Sequence, residues 1–387
     1  MEKEKNLKRF MLTIALFMAA TVLSDAFVNI YLWRLKADYI PITIYMLSCY
    51  ITIPIIFYLC GYIGMHIDRV TIYIIGIFCY ITFYGMVLIF RENITQHVIL
   101  WGFVKGLAMG FFFFGYHILT FDFTSVSNRD AFYTNTSIIS GTSSLLGPIT
   151  AGFIITYFKN FSGYYIIFGC SVLFFIMAVA LSFSMKSTPI KKPYKIEDLV
   201  FTKNKKWQDT LIAYLFLSGK DTIATFLIGI LVFKSTLSES SVGKYASLIA
   251  VAAICTALLF GRFSKPQTRK SYVLTGAILA FAAAFLLMYK INIYTLVIYS
   301  IISAVADYLV RTPISAHALD VISLDTNANE RKMEYIVARD VPTAVGRIVM
   351  LVVFVLFLQY MPVNGIKAII LLISMFPFGV YWAMYKR

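Results

Sequence analysis

The chain alternates long apolar runs with short polar segments along all of its 387 residues. Each run has about 20 residues, the length that a helix needs to cross the hydrocarbon core of a bilayer. The pattern therefore predicts twelve membrane-spanning helices. The predicted spans are 10–33, 40–63, 70–90, 97–121, 133–157, 163–185, 208–233, 241–263, 271–289, 293–318, 336–359 and 364–385.

One long polar, lysine-rich segment divides these spans into two sets of six. We predict an all-α membrane protein with an N-terminal six-helix bundle at 1–185, a basic cytoplasmic linker at 186–207 and a C-terminal six-helix bundle at 208–387. The halves carry matching residues at one offset: Gly64 and Gly261 lie about 197 positions apart, and Asp25 and Asp221 about 196. This offset indicates duplication, with the bundles related by a pseudo-two-fold axis normal to the membrane.

Composition and charge placement narrow the class of protein. With 60% hydrophobic residues, 14% charged residues and a mean hydropathy of +0.79, the chain cannot hide its apolar surface as a soluble domain. The net charge of +15 comes from Lys and Arg that concentrate on one side, about 21 against about 8 in the loops of the other. This bias predicts a multi-pass protein of the cell membrane with both termini in the cytoplasm, and it removes the case for a nucleic-acid partner.

Known catalytic and metal-binding patterns are missing from the sequence. It contains no H-x-x-x-H pair, no phosphate-binding glycine loop and no supported Ser/His/Asp set. The five cysteines stand inside apolar runs without a C-x-x-C pair, which argues against a disulfide framework or a metal site. We expect neither an enzyme nor a bound cofactor.

A short charged turn between the second and third spans reads Gly64-Met-His-Ile-Asp68-Arg69. It resembles the Gly-x-x-x-Asp-Arg loop between helices two and three of the major facilitator superfamily, although 70–73 lack the usual glycine and basic residues. A degenerate second copy of this motif begins at Gly261 and has Lys265 at the position of the aspartate. The resemblance implies transport by alternating access, with a gating role for Gly64, Asp68, Arg69, Gly261 and Lys265.

The fifth span contains Gly147-Pro148-Ile-Thr-Ala151-Gly152. This run resembles the Gly-Pro-x-x-Gly-Gly signature of exporters in the same superfamily. Small residues let helices pack closely, and proline removes a backbone donor and bends a helix, so we expect a gating role for Gly147, Pro148 and Gly152. Simple helix packing needs the same small residues and is the alternative. The whole chain resembles the efflux-type transporters of Gram-positive bacteria.

Charged residues inside the predicted spans are the best candidates for a functional site. Each costs roughly 2.5–3.5 kcal/mol at the bilayer centre, so it must face a partner or a water-filled path. A carboxylate there can also bind and release a proton. The alternative for each residue is a permanent structural ion pair. The candidates for a substrate and proton pathway are Asp25, Asn29, Lys105, Lys220, Asp221, Asp307 and Arg311.

Spacing gives these candidates their expected neighbours. Asn29 lies four residues after Asp25, and Asp307 lies four residues before Arg311, so each pair shares a helix face. Lys220 and Asp221 are adjacent and point in different directions, so each should find a partner on another helix. In the fourth span, Gly102 stands where the superfamily often places an arginine, with Lys105 three residues later.

We predict a monomeric, proton-coupled secondary transporter that exports a small organic molecule. The aromatic run 111–114 would suit an amphipathic molecule. One alternative is uptake of a small anionic metabolite, with Lys105, Lys220 and Arg311 as counter-charges. Another is a sensor with a transporter-like fold that moves nothing.

Overall fold

The computed structural model describes residues 2–64, 66–124, 128–158, 160–187, 197–261, 266–325, 328–361 and 364–385. These residues form helices joined by short turns. The helices are α1 Glu2–Lys36, α2 Tyr39–Ile63, α3 Arg69–Phe90, α4 Val98–Phe123, α5 Arg129–Tyr157, α6 Ser162–Ser182, α7 Glu197–Val200, α8 Lys205–Thr236, α9 Glu239–Gly261, α10 Arg269–Tyr289, α11 Ile293–Ser323, α12 Ala328–Tyr360 and α13 Gly365–Tyr385. Two short 3₁₀ turns lie at Arg91–Gln96 and Pro266–Thr268.

The predicted number of membrane spans is confirmed for the described part of the chain. Every helix except the four-residue α7 is long and apolar enough to cross a bilayer, which gives twelve spans. Several helices extend beyond the predicted spans: α1 begins at residue 2 instead of 10, and α12 at 328 instead of 336. Hydropathy marks the part of a helix that lies in lipid, whereas backbone hydrogen bonds continue into the polar turns beyond it.

Side chains placed just before several helices satisfy their first backbone N–H groups. Asp38 accepts a hydrogen bond from the backbone N of Ile40 at 3.0 Å, and Asn204 caps α8 in the same way. Asn292 and Thr295 form a reciprocal capping box at the start of α11. These caps fix where the helices start after very short turns.

The chain folds into two compact units. The first contains Met1–Tyr194 and Ser238–Ser247, and the second contains Lys195–Leu237 and Leu248–Arg387. The start of α9 therefore belongs with the first unit and the rest of that helix with the second. The predicted division at 185 and 207 adjoins residues 188–196, which lie outside the described residues, and it stays a prediction.

Both units use the same packing scheme. In the first, α1 packs on α5 and α6, and α3 packs on α4 and α6. In the second, α8 packs on α12 and α13, and α10 packs on α11 and α13. Corresponding helices of the two halves therefore have corresponding neighbours, as a duplicated bundle requires.

A stripe of glycines brings α4 close to α2 in the first unit. A Cβ atom added at Gly106 would lie 2.5 Å from Cβ of Thr52, and one at Gly110 would lie 2.7 Å from Cβ of Ile56. At Gly102 the added atom would lie 2.2 Å from the carbonyl oxygen of Tyr45, which explains why no larger side chain stands there. This close approach fixes the rotation of α4, and with it the direction of its charged residue.

Candidate functional site

The first unit contains an ion pair between two membrane helices. Lys105 on α4 donates from Nζ to Oδ1 of Asp25 on α1 at 2.6 Å. The hydroxyl of Tyr84 on α3 donates to the same oxygen. The two charged side chains differ in exposure: that of Lys105 is 6% exposed and that of Asp25 is 42% exposed. The ammonium is thus enclosed, while the carboxylate is accessible from one side.

Three aromatic rings of α3 surround the Lys105 ammonium. Nζ lies 4.5 Å from the ring centre of Tyr80, 4.7 Å from that of Phe83 and 5.6 Å from that of Tyr84. All three side chains are buried, and Phe83 stacks on Trp101 at 4.8 Å. Ring faces attract a cation most strongly where water is excluded, so the rings and Asp25 together stabilise the buried charge. Tyr80, Phe83 and Tyr84 together form an aromatic box around the ammonium.

Asn29 lies one turn after Asp25 on α1, as predicted. Its Oδ1 atom is buried and has no hydrogen-bond partner among the described residues. Asp25 also keeps one oxygen free within this part of the structure, because both of its hydrogen bonds end on Oδ1. Neighbouring positions on α1 therefore present two unused acceptors.

The second unit contains a cluster of four charges on α8 and α11. Lys220 donates to Oδ1 of Asp307 at 2.7 Å, and Nη2 of Arg311 donates to Oδ2 of Asp221 at 2.7 Å. Arg311 also binds both oxygens of Asp307, at 2.9 and 3.1 Å. Lys220 lies 3.5 Å from Asp221. As the spacing indicated, Lys220 and Asp221 each have a partner on another helix, and Asp307 and Arg311 pair along one face. The expectation that Lys220 and Asp221 point apart is wrong in one respect, because their flexible side chains also bring the two charges within 3.5 Å of each other.

The two clusters follow one plan. Each joins the first long helix of its half to the fourth, α1 to α4 and α8 to α11, and each contains as many cations as carboxylates. They differ in how many carboxylate oxygens lack a cationic partner. Every oxygen of Asp221 and Asp307 has such a partner within 3.5 Å, whereas Oδ2 of Asp25 has none in the described part of the chain. The repeat predicted from Asp25 and Asp221 therefore extends to the pairing of helices.

The turn at 64–69 is held within the first unit. Gly64 ends α2, and Asp68 caps α3 by accepting from the backbone N of Val70 at 2.8 Å. Asp68 also accepts from the hydroxyl of Ser187, which follows α6. Arg69 forms an ion pair with Asp122 near the end of α4. These contacts tie the turn to two other segments, and its gating role stays a prediction.

Small residues of α5 contact the first turns of α9. A Cβ atom added at Gly243 would lie 2.1 Å from the carbonyl oxygen of Pro148, and one at Gly152 would lie 2.6 Å from that of Glu239. Gly147 instead faces Val22 of α1, at 2.9 Å by the same measure. These contacts fit the alternative of close helix packing, with two different neighbours, and the predicted gating role stays a prediction.

An ion pair with one buried member in the same region escaped the sequence analysis. Arg34 at the end of α1 donates to Oε1 of Glu239 at 2.8 Å, and the hydroxyl of Tyr164 donates to the same atom at 3.0 Å. Glu239 is only 7% exposed. Both charges stand at span ends, where charge is ordinary, so the sequence carries no signal for this contact. The aromatic box was also missed, although Tyr80, Phe83 and Tyr84 have the i, i+3, i+4 spacing of one helix face.

Gly261 and Lys265 are the two residues of the second copy of the turn for which a gating role is predicted. Gly261 ends α9. Lys265 lies outside the described residues, so its predicted gating role has no structural counterpart here. Within the described ranges, no three His, Cys, Asp or Glu side chains converge as metal ligands.

Comparison with known proteins decides the family. A sequence model described as Major Facilitator Superfamily matches residues 8–328. The chain belongs to the Major Facilitator Superfamily. It is 33% identical over 350 residues to the uncharacterised protein YqgE of Bacillus subtilis strain 168, which covers 90% of this chain and 81% of YqgE. A Geobacillus stearothermophilus protein encoded in the sodM 3′ region is 31% identical over 146 residues, covering 38% of this chain and 68% of that protein.

Solved structures share the fold at low sequence identity. The outward-facing structure of a bacterial homologue of the iron transporter ferroportin has a TM-score of 0.68 at 15% identity, covering 99% of this chain and 100% of that one. The nucleoside transporter NupG has a TM-score of 0.72 at 13% identity, with 98% and 99% covered. The Escherichia coli fucose:proton symporter FucP has 0.67 at 11%, with 99% and 98% covered. Family and fold make the protein a multi-pass membrane transporter, not an enzyme.

Proposed function

We propose that this superfamily member is a secondary active transporter that exports a small organic molecule in exchange for protons. The observation that carries the proposal is the pair of charge-balanced clusters, one in each unit, on corresponding membrane helices. Each membrane charge costs roughly 2.5–3.5 kcal/mol, which a scaffold without transport has no reason to retain. We also propose that the protein lies in the cell membrane with both termini in the cytoplasm, on the strength of the Lys and Arg bias, and that it acts as a monomer.

Asp25 is the carboxylate best placed to carry the proton. Its side chain is 42% exposed, and its partner Lys105 is enclosed. A charge inside a membrane span costs least where it faces water, so we assign this exposure to a water-filled path from which a proton can reach Asp25. Protonation removes the negative charge and leaves the ammonium with the aromatic box alone. The contact between α1 and α4 then weakens, which favours the conformation that needs that contact least. Loss of the proton on the other side of the membrane restores the ion pair.

The contacts favour this reading over uptake of an anionic metabolite. That alternative needs Lys105, Lys220 and Arg311 as free counter-charges, and each already has a carboxylate within 2.7 Å. An anion could bind one of these cations only by displacing the carboxylate that already pairs with it.

Transport into inside-out vesicles with an acidic lumen tests the proposal. Small organic compounds are added singly, and proton release is followed with a pH-sensitive dye while uptake is measured by mass spectrometry. Vesicles containing the protein should accumulate at least one compound and lose protons at the same time. Accumulation without a pH gradient, or none with any compound, would contradict proton-driven export.

Variants identify the carboxylates involved. Asp25→Asn and Asp221→Asn should each abolish gradient-driven uptake, whereas Asp38→Asn should transport normally, because Asp38 caps α2 at an exposed turn and asparagine caps equally well. The melting temperature of each variant separates lost transport from lost folding. Normal transport by both membrane variants would remove these residues from the coupling mechanism.

A further inference from the structure

We propose that the first unit recognises the transported molecule through two acceptors of α1, Oδ2 of Asp25 and Oδ1 of Asn29, and that this molecule is uncharged and carries hydroxyl or N–H donors. The inference rests on the proposed transport function and adds the chemical class of the substrate.

The free acceptors point to a donor that the described residues do not supply. Buried polar atoms in folded proteins nearly always have a hydrogen-bond partner, so a buried oxygen without one requires an explanation. Oδ1 of Asn29 is such an atom within the described residues. Asp25 lies one turn away on the same helix face, and its Oδ2 is unused although Oδ1 accepts two hydrogen bonds. Two acceptors in this arrangement fit a ligand with two donors.

Charge balance sets the ligand's charge. Asp25 and Lys105 already neutralise each other, and the four charges of the second cluster also sum to zero. A cationic ligand beside Asp25 would place a second positive charge next to the enclosed ammonium of Lys105. An anionic ligand would meet the carboxylate itself. A hydroxyl or an N–H group satisfies both acceptors and leaves the balance unchanged.

Exposure explains how the two acceptors are reached. The Asp25 side chain is 42% exposed, whereas Oδ1 of Asn29 is buried in this conformation. A ligand can therefore meet Asp25 first and Asn29 only after α1 has moved against its neighbours. Such a movement is what alternating access requires, so the second hydrogen bond would form as the ligand becomes enclosed.

Binding to the purified full-length protein in detergent, without any gradient, tests the proposal. The probes are two series that share a carbon skeleton and differ in charge: glucose, gluconate and glucosamine, and benzyl alcohol, benzoate and benzylamine. Members that bind raise the melting temperature in a concentration-dependent way. We expect only uncharged members to do so. Stabilisation by the charged members alone, or by none of the six probes, would overturn the assignment.

Asn29→Ala distinguishes recognition from a structural role. If Oδ1 of Asn29 accepts a hydrogen bond from the ligand, its removal should weaken binding of the uncharged probe about tenfold, which is the value of one hydrogen bond. The melting temperature of the ligand-free protein should stay the same or rise. The matched control is Asn6→Ala on the same helix, because the amide of Asn6 donates to the carbonyl of Lys186 at 3.2 Å. That control should lower the melting temperature and leave probe affinity unchanged. A drop in stability for Asn29→Ala with unchanged affinity would refute the proposal.

The two proposals can fail separately. Selective binding of uncharged probes without pH-driven movement would leave this inference standing and remove proton-coupled export. Proton-driven export of a charged compound would do the opposite.

Discussion

Removal of either partner of the Asp25–Lys105 ion pair should have unequal effects on stability, because the two side chains differ in exposure. In Asp25→Asn, the ammonium stays 94% enclosed and loses its counter-charge. In Lys105→Met, an apolar side chain of similar length enters the aromatic box, and Asp25 remains in contact with solvent and with Tyr84. The buried member of the pair thus depends on the exposed member more than the reverse.

The magnitudes follow from these surroundings. An unpaired buried charge costs about 3–5 kcal/mol, and three ring faces return about 2 kcal/mol, so Asp25→Asn should lose about 2 kcal/mol of unfolding free energy, within a range of about 1–3 kcal/mol. Lys105→Met should lose about 1 kcal/mol, since a solvent-accessible carboxylate loses little when its partner goes. The double variant has neither charge of this ion pair, so its stability should be close to that of Lys105→Met. The cycle then gives a coupling energy of about 2 kcal/mol.

Equilibrium unfolding of the four proteins in mixed micelles measures these differences. Tryptophan fluorescence is a suitable signal, because Trp101 stacks on Phe83 within 4.8 Å. Equal losses for both single variants, or a double variant whose loss equals the sum of the two, would show that the enclosed ammonium does not depend on Asp25. The double variant also gives the transport assay a form that lacks the Asp25 carboxylate and has no unpaired buried cation.

Three further predictions concern other contacts. For each, the change in unfolding free energy is measured through the shift in the midpoint of thermal unfolding. Gly243→Ala should destabilise by about 1–3 kcal/mol, since its Cβ would meet a carbonyl at 2.1 Å, whereas Gly85→Ala, with nothing within 4 Å, should stabilise by about 0.5–1 kcal/mol. Glu239→Gln should cost about 2 kcal/mol because the buried Glu239 side chain loses its ion pair with Arg34, and the exposed Glu92→Gln should be neutral within about 0.5 kcal/mol. Arg311→Lys should cost about 1 kcal/mol, since lysine cannot bind two carboxylates with a planar fork. A harmless Gly243→Ala, Glu239→Gln or Arg311→Lys would contradict the corresponding contact.

The twelve helices, the duplication and the family can all be predicted from the amino-acid sequence. These features are local or periodic: a bilayer demands about 20 apolar residues per span, and hydropathy shows such a run wherever it occurs. The cost of a membrane charge likewise singled out Asp25, Lys105 and the residues of the second cluster before any contact was known. Helix ends were less accurate, because the helices continue into polar turns that hydropathy does not record.

Which charges pair, and which side chains surround them, depends on how the helices pack. Lys105 and Asp25 are 80 residues apart, Lys220 and Asp307 are 87 apart, and Arg311 and Asp221 are 90 apart. Such pairs depend on how far each helix is rotated about its axis, and that rotation is fixed by packing such as the glycine contacts between α4 and α2. The aromatic box, the free oxygens of Asp25 and Asn29, and the contact between Arg34 and Glu239 arise in the same way. The sequence specifies which side chains each helix has, and packing against other helices determines the direction in which each side chain points.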